Sequence, residues 1–331
     1  MANRVVYFIK RPTGMVTKDV FEVREQPIPE VVDPGDILVE SVYASVDPYM
    51  RGRMSDRKSY TAPFALNMPM QGGMVGRIVQ SRSGDVEVGS FVFGVWPWAD
   101  YWVVPLRAVR VLDPDLPPTT ALGVLGLTGL TAYIGLTKIG QARSKEHLVV
   151  SAAAGGVGSL AGQIGRLLGL HVVGVAGGPE KCQWLVSELE FDAAVDYKTT
   201  QFQKSLSDVV DGVDVYFDNV GGLVTDVVMG SLNPHARIVV CGQIALYNQA
   251  QPTHERSRFA DLLTNRAMAT GFIVGEHQDA YPRALEQLSQ WYRSGQLKSE
   301  EHIVRGFEEL VPAFLGLFEG INRGKLIVQL R

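Results

Sequence analysis

Apolar residues in this chain gather in short runs, and the spacing of those runs changes character near residue 120. Before that point the runs are brief: Val5 to Ile9, Ile37 to Val42, Met74 to Gln80 and Phe91 to Val95. Two turn sequences punctuate them, Asp33-Pro34-Gly35-Asp36 and Ser83-Gly84-Asp85. Such residues supply the backbone angles and local hydrogen bonds that tight turns need. The pattern predicts a β-rich domain over residues 1–120. Asp113 to Thr120, with its three prolines, reads as a connector. From Ala121 to about Leu297 strand-like and helix-like stretches alternate. The predicted strands are Leu148–Ser151, Val172–Ala176, Ala194–Asp196, Val213–Phe217, Ile238–Cys241 and Met268–Val274. Six strands with intervening helices predict an α/β fold, a doubly wound parallel sheet over 121–299. Glu308 to Phe318 then reads as an amphipathic helix and Lys325 to Leu330 as a strand. Neither has a place in the six-strand count, so residues 300–331 are expected to complete the N-terminal domain.

The richest local signal is Ser151-Ala152-Ala153-Ala154-Gly155-Gly156-Val157-Gly158-Ser159. The apolar run Leu148-Val149-Val150 precedes it, a helix-like stretch from Leu160 to Leu168 follows, and Val172-Val173-Gly174-Val175 comes next. That order is a dinucleotide-binding βαβ unit, with Ala153-x-Gly155-x-x-Gly158 as its fingerprint. Larger side chains would hold a pyrophosphate away from the backbone N–H groups at the helix N-terminus, where the dipole favours an anion.

The second strand bears on which dinucleotide binds. An NAD site usually carries Asp or Glu about 20 residues on, to bond the ribose 2′-hydroxyl. This chain has Ala176-Gly177-Gly178-Pro179 there, followed by Glu180-Lys181. No acid stands at the strand end, and Lys181 offers a cation to a 2′-phosphate. The local chemistry favours NADP(H). Two alternatives stay open: Lys181 as an ordinary solvated helix residue, and Glu180 turned inward against the phosphate.

Composition narrows the class. A chain of 331 residues exceeds one typical core, which predicts two domains. With 46% hydrophobic and 20% charged residues it reads as globular, and a net charge of −4 gives no reason to expect nucleic acid or an anionic membrane. The apolar run after Met1-Ala2-Asn3-Arg4 is too short for a signal-peptide core, and Ala121 to Leu136 falls below a membrane span. Cys182 and Cys241 fit a reducing compartment, so a cytoplasmic protein is expected. His147, His171, His235, His254, His277 and His302 are scattered, with no Cys-x-x-Cys, so no structural metal site is expected.

Several multi-residue blocks carry a wider resemblance. They are Asp47-Pro48-Tyr49-Met50-Arg51-Gly52-Arg53-Met54, Gln71-Gly72-Gly73-Met74-Val75-Gly76, and the turn at Ala152–Ser159. Phe217-Asp218-Asn219-Val220-Gly221-Gly222, Cys241-Gly242-Gln243-Ile244-Ala245-Leu246-Tyr247-Asn248 and Gly320-Ile321-Asn322-Arg323-Gly324-Lys325 continue the series. In this order they resemble the zinc-independent medium-chain dehydrogenase/reductases, in the prostaglandin reductase or leukotriene B4 dehydrogenase-like branch. That branch includes curcumin reductases and alkenal double-bond reductases.

The resemblance implies a Rossmann domain beside a β-rich GroES-like catalytic domain, a homodimer joined at the Rossmann edge strand, and no metal. It also implies NADPH-dependent reduction of carbon–carbon double bonds conjugated to a carbonyl. Cofactor contacts carry over to the turn residues Ala153, Ala154, Gly155, Gly156, Val157 and Gly158, and to Gly177, Lys181, Tyr197 and Asn219. They carry over further to Cys241, Gly242, Gln243, Ile244 and Tyr247, to Phe272, Ile273 and Val274, and to Asn322. On the residues alone, Asn219 also reads as an Asx-turn residue.

The implied reaction needs a hydride donor close to the β-carbon, a hydrogen-bond donor at the carbonyl oxygen, and a proton for the α-carbon. Tyrosine suits the second task, because its hydroxyl stays protonated near neutrality. Tyr247 ranks first and Tyr49 second as catalytic residues. Tyr49, Tyr60 and Tyr247 are the substrate-contact candidates, each set against simple amphipathic packing. Arg51 and Arg53 read as structural. Trp96, Trp98, Tyr101 and Trp102 line an apolar pocket on one reading and fill the N-terminal core on another. Two rival functions are a quinone oxidoreductase and a non-catalytic nucleotide-binding protein of the same fold.

Overall fold

The computed structural model describes residues 2–249 and 257–331, so His254 lies outside the described residues. The chain folds as two compact units: Met1–Gly123 with Glu301–Ile321 and Leu326–Arg331, and Val124–Glu300 with Asn322–Lys325.

The first unit is antiparallel and β-rich. One sheet runs in the order Glu301–Arg305, Lys325–Gln329, Asp36–Ser45, Gln71–Ser81, Phe91–Pro97, Arg110–Val111, and Tyr101–Pro105 also pairs with Asp36–Ser45. A smaller sheet joins Phe21–Gln26, Asn3–Phe8 and Met68–Pro69. Phe21–Gln26 was not legible in the sequence. It carries Glu22, Arg24 and Glu25 and buries little beyond Phe21, so no apolar run announces it.

The core of this unit gathers Phe8, Met50, Met70, Met74, Trp96, Trp98 and Phe314. The tryptophans therefore settle one open reading: Trp96 and Trp98 are core, not pocket lining. Trp96 Nε1 donates to Ser41 Oγ at 3.0 Å, which satisfies its one polar atom. The helix expected over 308–318 is shorter. It spans Leu310–Gly316 behind a single 3₁₀ turn at Phe307–Glu309, and buries Leu310, Ala313 and Phe314.

The second unit holds a parallel sheet in the order Ala193–Asp196, His171–Ala176, His147–Ser151, Val213–Asp218, Leu232–Val240, Met268–Gly271. This is the doubly wound sheet that the apolar runs predict. Val149, Val173, Val175 and Val215 are fully buried, as strands covered on both faces must be. Chain order reverses between His147–Ser151 and Val213–Asp218, which are hydrogen-bonded neighbours. In open α/β sheets, ligands bind outside the carboxyl ends of the strands at such a switch point.

Two strand ends differ from expectation. Leu232–Val240 starts well before Ile238, because a bulge lets Val213 pair with Leu232 and Val215 with Arg237. Pro234 and the left-handed His235 (φ 67°) sit in that bulge and break the β-pattern. The final strand stops at Gly271, so Phe272, Ile273 and Val274 lie past its carboxyl end.

Candidate active site

The glycine turn joins the His147–Ser151 strand to the Gly156–Leu167 helix. Ala152 takes a left-handed conformation (φ 47°), and Gly155 N–H donates back to its carbonyl at 2.9 Å. A Cβ on Gly158 would stand 2.3 Å from that same carbonyl oxygen, so only glycine lets the helix start this close to the turn. The first fingerprint position holds Ala153, and the next strand makes room for it. A Cβ on Gly174 would meet Ala153 Cβ at 3.0 Å.

Among the described residues no side chain caps this helix at Gly155. The first-turn N–H groups of a helix lack internal partners. A Cβ on Gly155 would meet only Ala152 O, at 3.2 Å. An uncapped helix start above a bare glycine is a cradle that suits a pyrophosphate. Gly324 N–H donates to Ala154 O at 2.8 Å, which ties the 322–325 segment to the turn. Asn322 Nδ2 in turn donates to Gly324 O at 2.8 Å and shapes that segment.

A second cluster surrounds Gly177. A Cβ there would lie 3.2 Å from the Tyr197 hydroxyl and 3.0 Å from Lys198 Cε. Lys181 lies in the first turn of the Pro179–Ser187 helix, and its ammonium is held below its usual range by burial and then by Lys198. Two cations, a phenol and an absent side chain form a site suited to a phosphate dianion. Glu180, beside Lys181, is exposed.

Lys198 was missed in the sequence because it lies in the next βα connection. Asp196 was missed too. Its Oδ1 accepts from Gly178 N and Lys198 N, both at 2.9 Å, and fixes the two loops together.

At the switch point, Asn219 N–H donates to Ser151 Oγ at 2.9 Å and its Nδ2 to Ser151 O at 2.8 Å. The Cys241–Tyr247 loop folds back on itself, so that Gln243 N–H donates to the Tyr247 hydroxyl at 3.3 Å. Burial, and then Asp218, push the Cys241 thiol up to about 12, which leaves it neutral at ordinary pH. Phe272 packs beside Ile134, Val274 and Ala284. Val274 O accepts from the Tyr281 hydroxyl at 3.3 Å.

The remaining tyrosines belong to the first unit. Tyr49 opens the short Tyr49–Arg53 helix. Burial and then Asp47, with a lesser push from Tyr60, hold its hydroxyl far above the usual phenol range against a lowering by Arg53, so it stays protonated and can donate a hydrogen bond. Tyr60 is 62% exposed. Arg51 donates to Gly14 O at 2.8 Å, while Arg53 donates to Ala62 O at 3.0 Å and stacks on Phe64. Both arginines thus brace loops. Among the described residues no group of three or more His, Cys, Asp or Glu is placed to hold a metal ion.

The family described as "N-terminal domain of oxidoreductase" matches residues 4–112, and the family described as "Zinc-binding dehydrogenase" matches residues 156–290. The NADPH-dependent curcumin reductase of Escherichia coli is 39% identical over 338 residues, covering 99% of this chain and 96% of that protein. The NADP(+)-dependent 2-alkenal reductase of Nicotiana tabacum is 35% identical over 338 residues, covering 99% and 97%. The crystal structure of CurA from Vibrio vulnificus in complex with NADPH superposes with a TM-score of 0.94 at 41% identity, covering 99% of each chain. With this coverage, the chain belongs to the zinc-independent medium-chain dehydrogenase/reductases, in the branch of the curcumin, alkenal and prostaglandin reductases.

Proposed function

We propose that this NADPH-dependent oxidoreductase reduces the carbon–carbon double bond of α,β-unsaturated ketones and aldehydes. The observation that carries the cofactor half is the pairing of an open glycine cradle with the cluster of Gly177, Lys181, Tyr197 and Lys198. The relatives named above, each called a reductase of such a substrate or of curcumin, support the substrate half.

In this reading Gly155, Gly156, Val157 and Gly158 receive the pyrophosphate. Lys181, Tyr197 and Lys198 hold the 2′-phosphate. Asn219, the Cys241–Tyr247 loop, Phe272 to Val274 and Asn322 flank the rest of the cofactor. Bound NADPH supplies the hydride for the β-carbon. The Tyr247 hydroxyl donates toward the carbonyl oxygen as it gains charge, directly or through a ribose hydroxyl. Tyr49 and Tyr60 contact substrate, and protonation at the α-carbon completes the reduction. The two free cysteines fit a cytoplasmic location. No helix among the described residues is long and apolar enough to cross a membrane.

The direct test is a panel of enals, enones, quinones and alcohols with NADPH and NADH, followed by loss of nicotinamide absorbance. Saturated ketone or aldehyde as product supports the reading. Turnover of quinones alone, with semiquinone radicals, supports the quinone reductase instead. NADPH binding without turnover supports a non-catalytic role. Chelator treatment should leave enone reduction unchanged, and elemental analysis should find no stoichiometric zinc. One zinc per chain, lost together with activity, contradicts this.

A homodimer is also proposed. Met268–Gly271 ends the sheet, and Met268 is exposed. The preceding helix, Phe259–Asn265, presents Phe259 and Leu263 at 81% exposure each, one turn apart. Apolar edges of this kind are usually covered, and a two-fold copy would pair the strand and bury both side chains. Sedimentation at micromolar concentration should show a dimer, which Phe259→Asp with Leu263→Asp should split into monomers. A wild-type monomer removes the proposal.

A further inference from the structure

A carboxylate with no assigned role sits at the switch point. Asp218 ends the Val213–Asp218 strand and is 1% exposed. Its Oδ1 accepts from Ser151 Oγ at 3.1 Å, the Tyr216 hydroxyl at 2.9 Å, Val220 N at 2.9 Å and Gly221 N at 3.0 Å. Its Oδ2 accepts from Thr225 Oγ1 at 2.8 Å and Gln243 Nε2 at 3.0 Å. Its main-chain carbonyl accepts from Cys241 N at 2.8 Å and Gly242 N at 3.1 Å. Neutral donors therefore surround a buried charge.

Burying a carboxylate is costly unless its lone pairs are filled. Here they are filled, and the donors come from the carboxyl ends of adjacent strands, the loops that follow and the Gly222–Met229 helix. Ser151 belongs to the strand before the glycine turn. Val220 and Gly221 form the turn after Asp218 itself. Gln243 belongs to the loop that carries Tyr247.

The two loops are also joined through their backbones. Ala245 N–H donates to Val220 O at 3.0 Å, and Ile244 N–H to Asn219 O at 3.3 Å. Gly221 is left-handed (φ 73°), and a Cβ on it would strike Gln243 Oε1 at 2.3 Å, so the Gln243 side chain lies directly over the turn. Gln243 thus bonds Asp218 with its side chain while its main-chain N–H bonds the Tyr247 hydroxyl.

We propose that Asp218 is the positioning residue for the nicotinamide half of the cofactor site. Its charge locks the 219–222 turn and the 241–247 loop into one surface and, through Gln243, sets the Tyr247 hydroxyl. This rests on the cofactor reading given above. The adenosine half, around Gly177, Lys181, Tyr197 and Lys198, shares none of these hydrogen bonds, so the two halves can be separated by ligand.

The test is Asp218→Asn, a change of nearly equal size that removes the charge and turns one acceptor into a donor facing donors. Equilibrium binding is measured with NADPH and with 2′,5′-ADP, which carries only the adenosine half. The variant should weaken NADPH on the order of 10-fold, the size of one charge-assisted hydrogen bond. Its affinity for 2′,5′-ADP should stay within about twofold, because none of its contacts are lost. Equal losses for both ligands would mean a general structural role and overturn the proposal, as would no loss for either.

Thr225→Val keeps the charge and removes one donor, so it guards against misfolding of the first variant. It should shift NADPH binding in the same direction by about threefold, a neutral hydrogen bond's worth, and leave 2′,5′-ADP alone. No NADPH-selective shift in that folded variant also counts against the proposal. A wild-type chain that binds neither ligand would instead overturn the cofactor reading itself.

Discussion

Lys181→Ala should raise the KM for NADPH by about 10- to 150-fold while changing that for NADH by less than about twofold. The estimate equates the lost contact with one charge-assisted hydrogen bond, about 1.5–3 kcal/mol. The physical case is local. Lys181 is half-buried beside a second ammonium, and both burial and Lys198 work against its charge. A doubly charged 2′-phosphate between the two lysines would offset both effects. NADH has a hydroxyl at that position and gains little from either cation. Lys198→Ala should act in the same direction but only by a few-fold, roughly the worth of an exposed ion pair. Steady-state kinetics with both cofactors decide the matter. Equal KM changes for NADPH and NADH would remove Lys181 from the phosphate site.

Tyr247→Phe should lower kcat by about 10- to 100-fold with little change in substrate KM. An interaction that strengthens only as charge develops on the carbonyl oxygen appears in kcat when it is lost. Loss of one oxyanion donor costs about 10²- to 10³-fold in other enzymes. The smaller figure here, about 10- to 100-fold, allows for partial replacement by a ribose hydroxyl or a water. The hydroxyl accepts from Gln243 N–H at 3.3 Å, which is compatible with donating its own proton to a second oxygen. Tyr49→Phe is the comparison, and a smaller loss is expected from it. Tyr49 can donate a hydrogen bond, since burial keeps its hydroxyl protonated. A full kcat in Tyr247→Phe beside a large loss in Tyr49→Phe would move the donor to the first unit. If neither change matters, no side chain holds the polarising role.

The sequence alone determined the features that depend on neighbours along the chain. The Ala153–Gly158 turn was legible because close backbone approach demands small residues at fixed spacing, and the structure meets that demand at Gly158. The central parallel strands were legible as apolar runs because strands covered on both faces bury nearly every side chain, whereas the edge strand Met268–Gly271 is largely exposed.

What failed to show in the sequence depends on contacts between distant segments. Pro234 and His235 hid the start of the Leu232–Val240 strand, and only pairing with Val213–Asp218 holds that bulge in the sheet. Trp96 and Trp98 were ambiguous because the same aromatic run suits a pocket or a core, and sheet packing turned both inward. Lys198 joined Lys181 only when two βα connections met at Gly177. Asp218 stood in the sequence only as a member of the Phe217–Gly222 block, and its donors came together only when distant segments met in the fold. A burial energy or an electrostatic field belongs to such an assembled neighbourhood, and local spacing carries no record of which segments will share it.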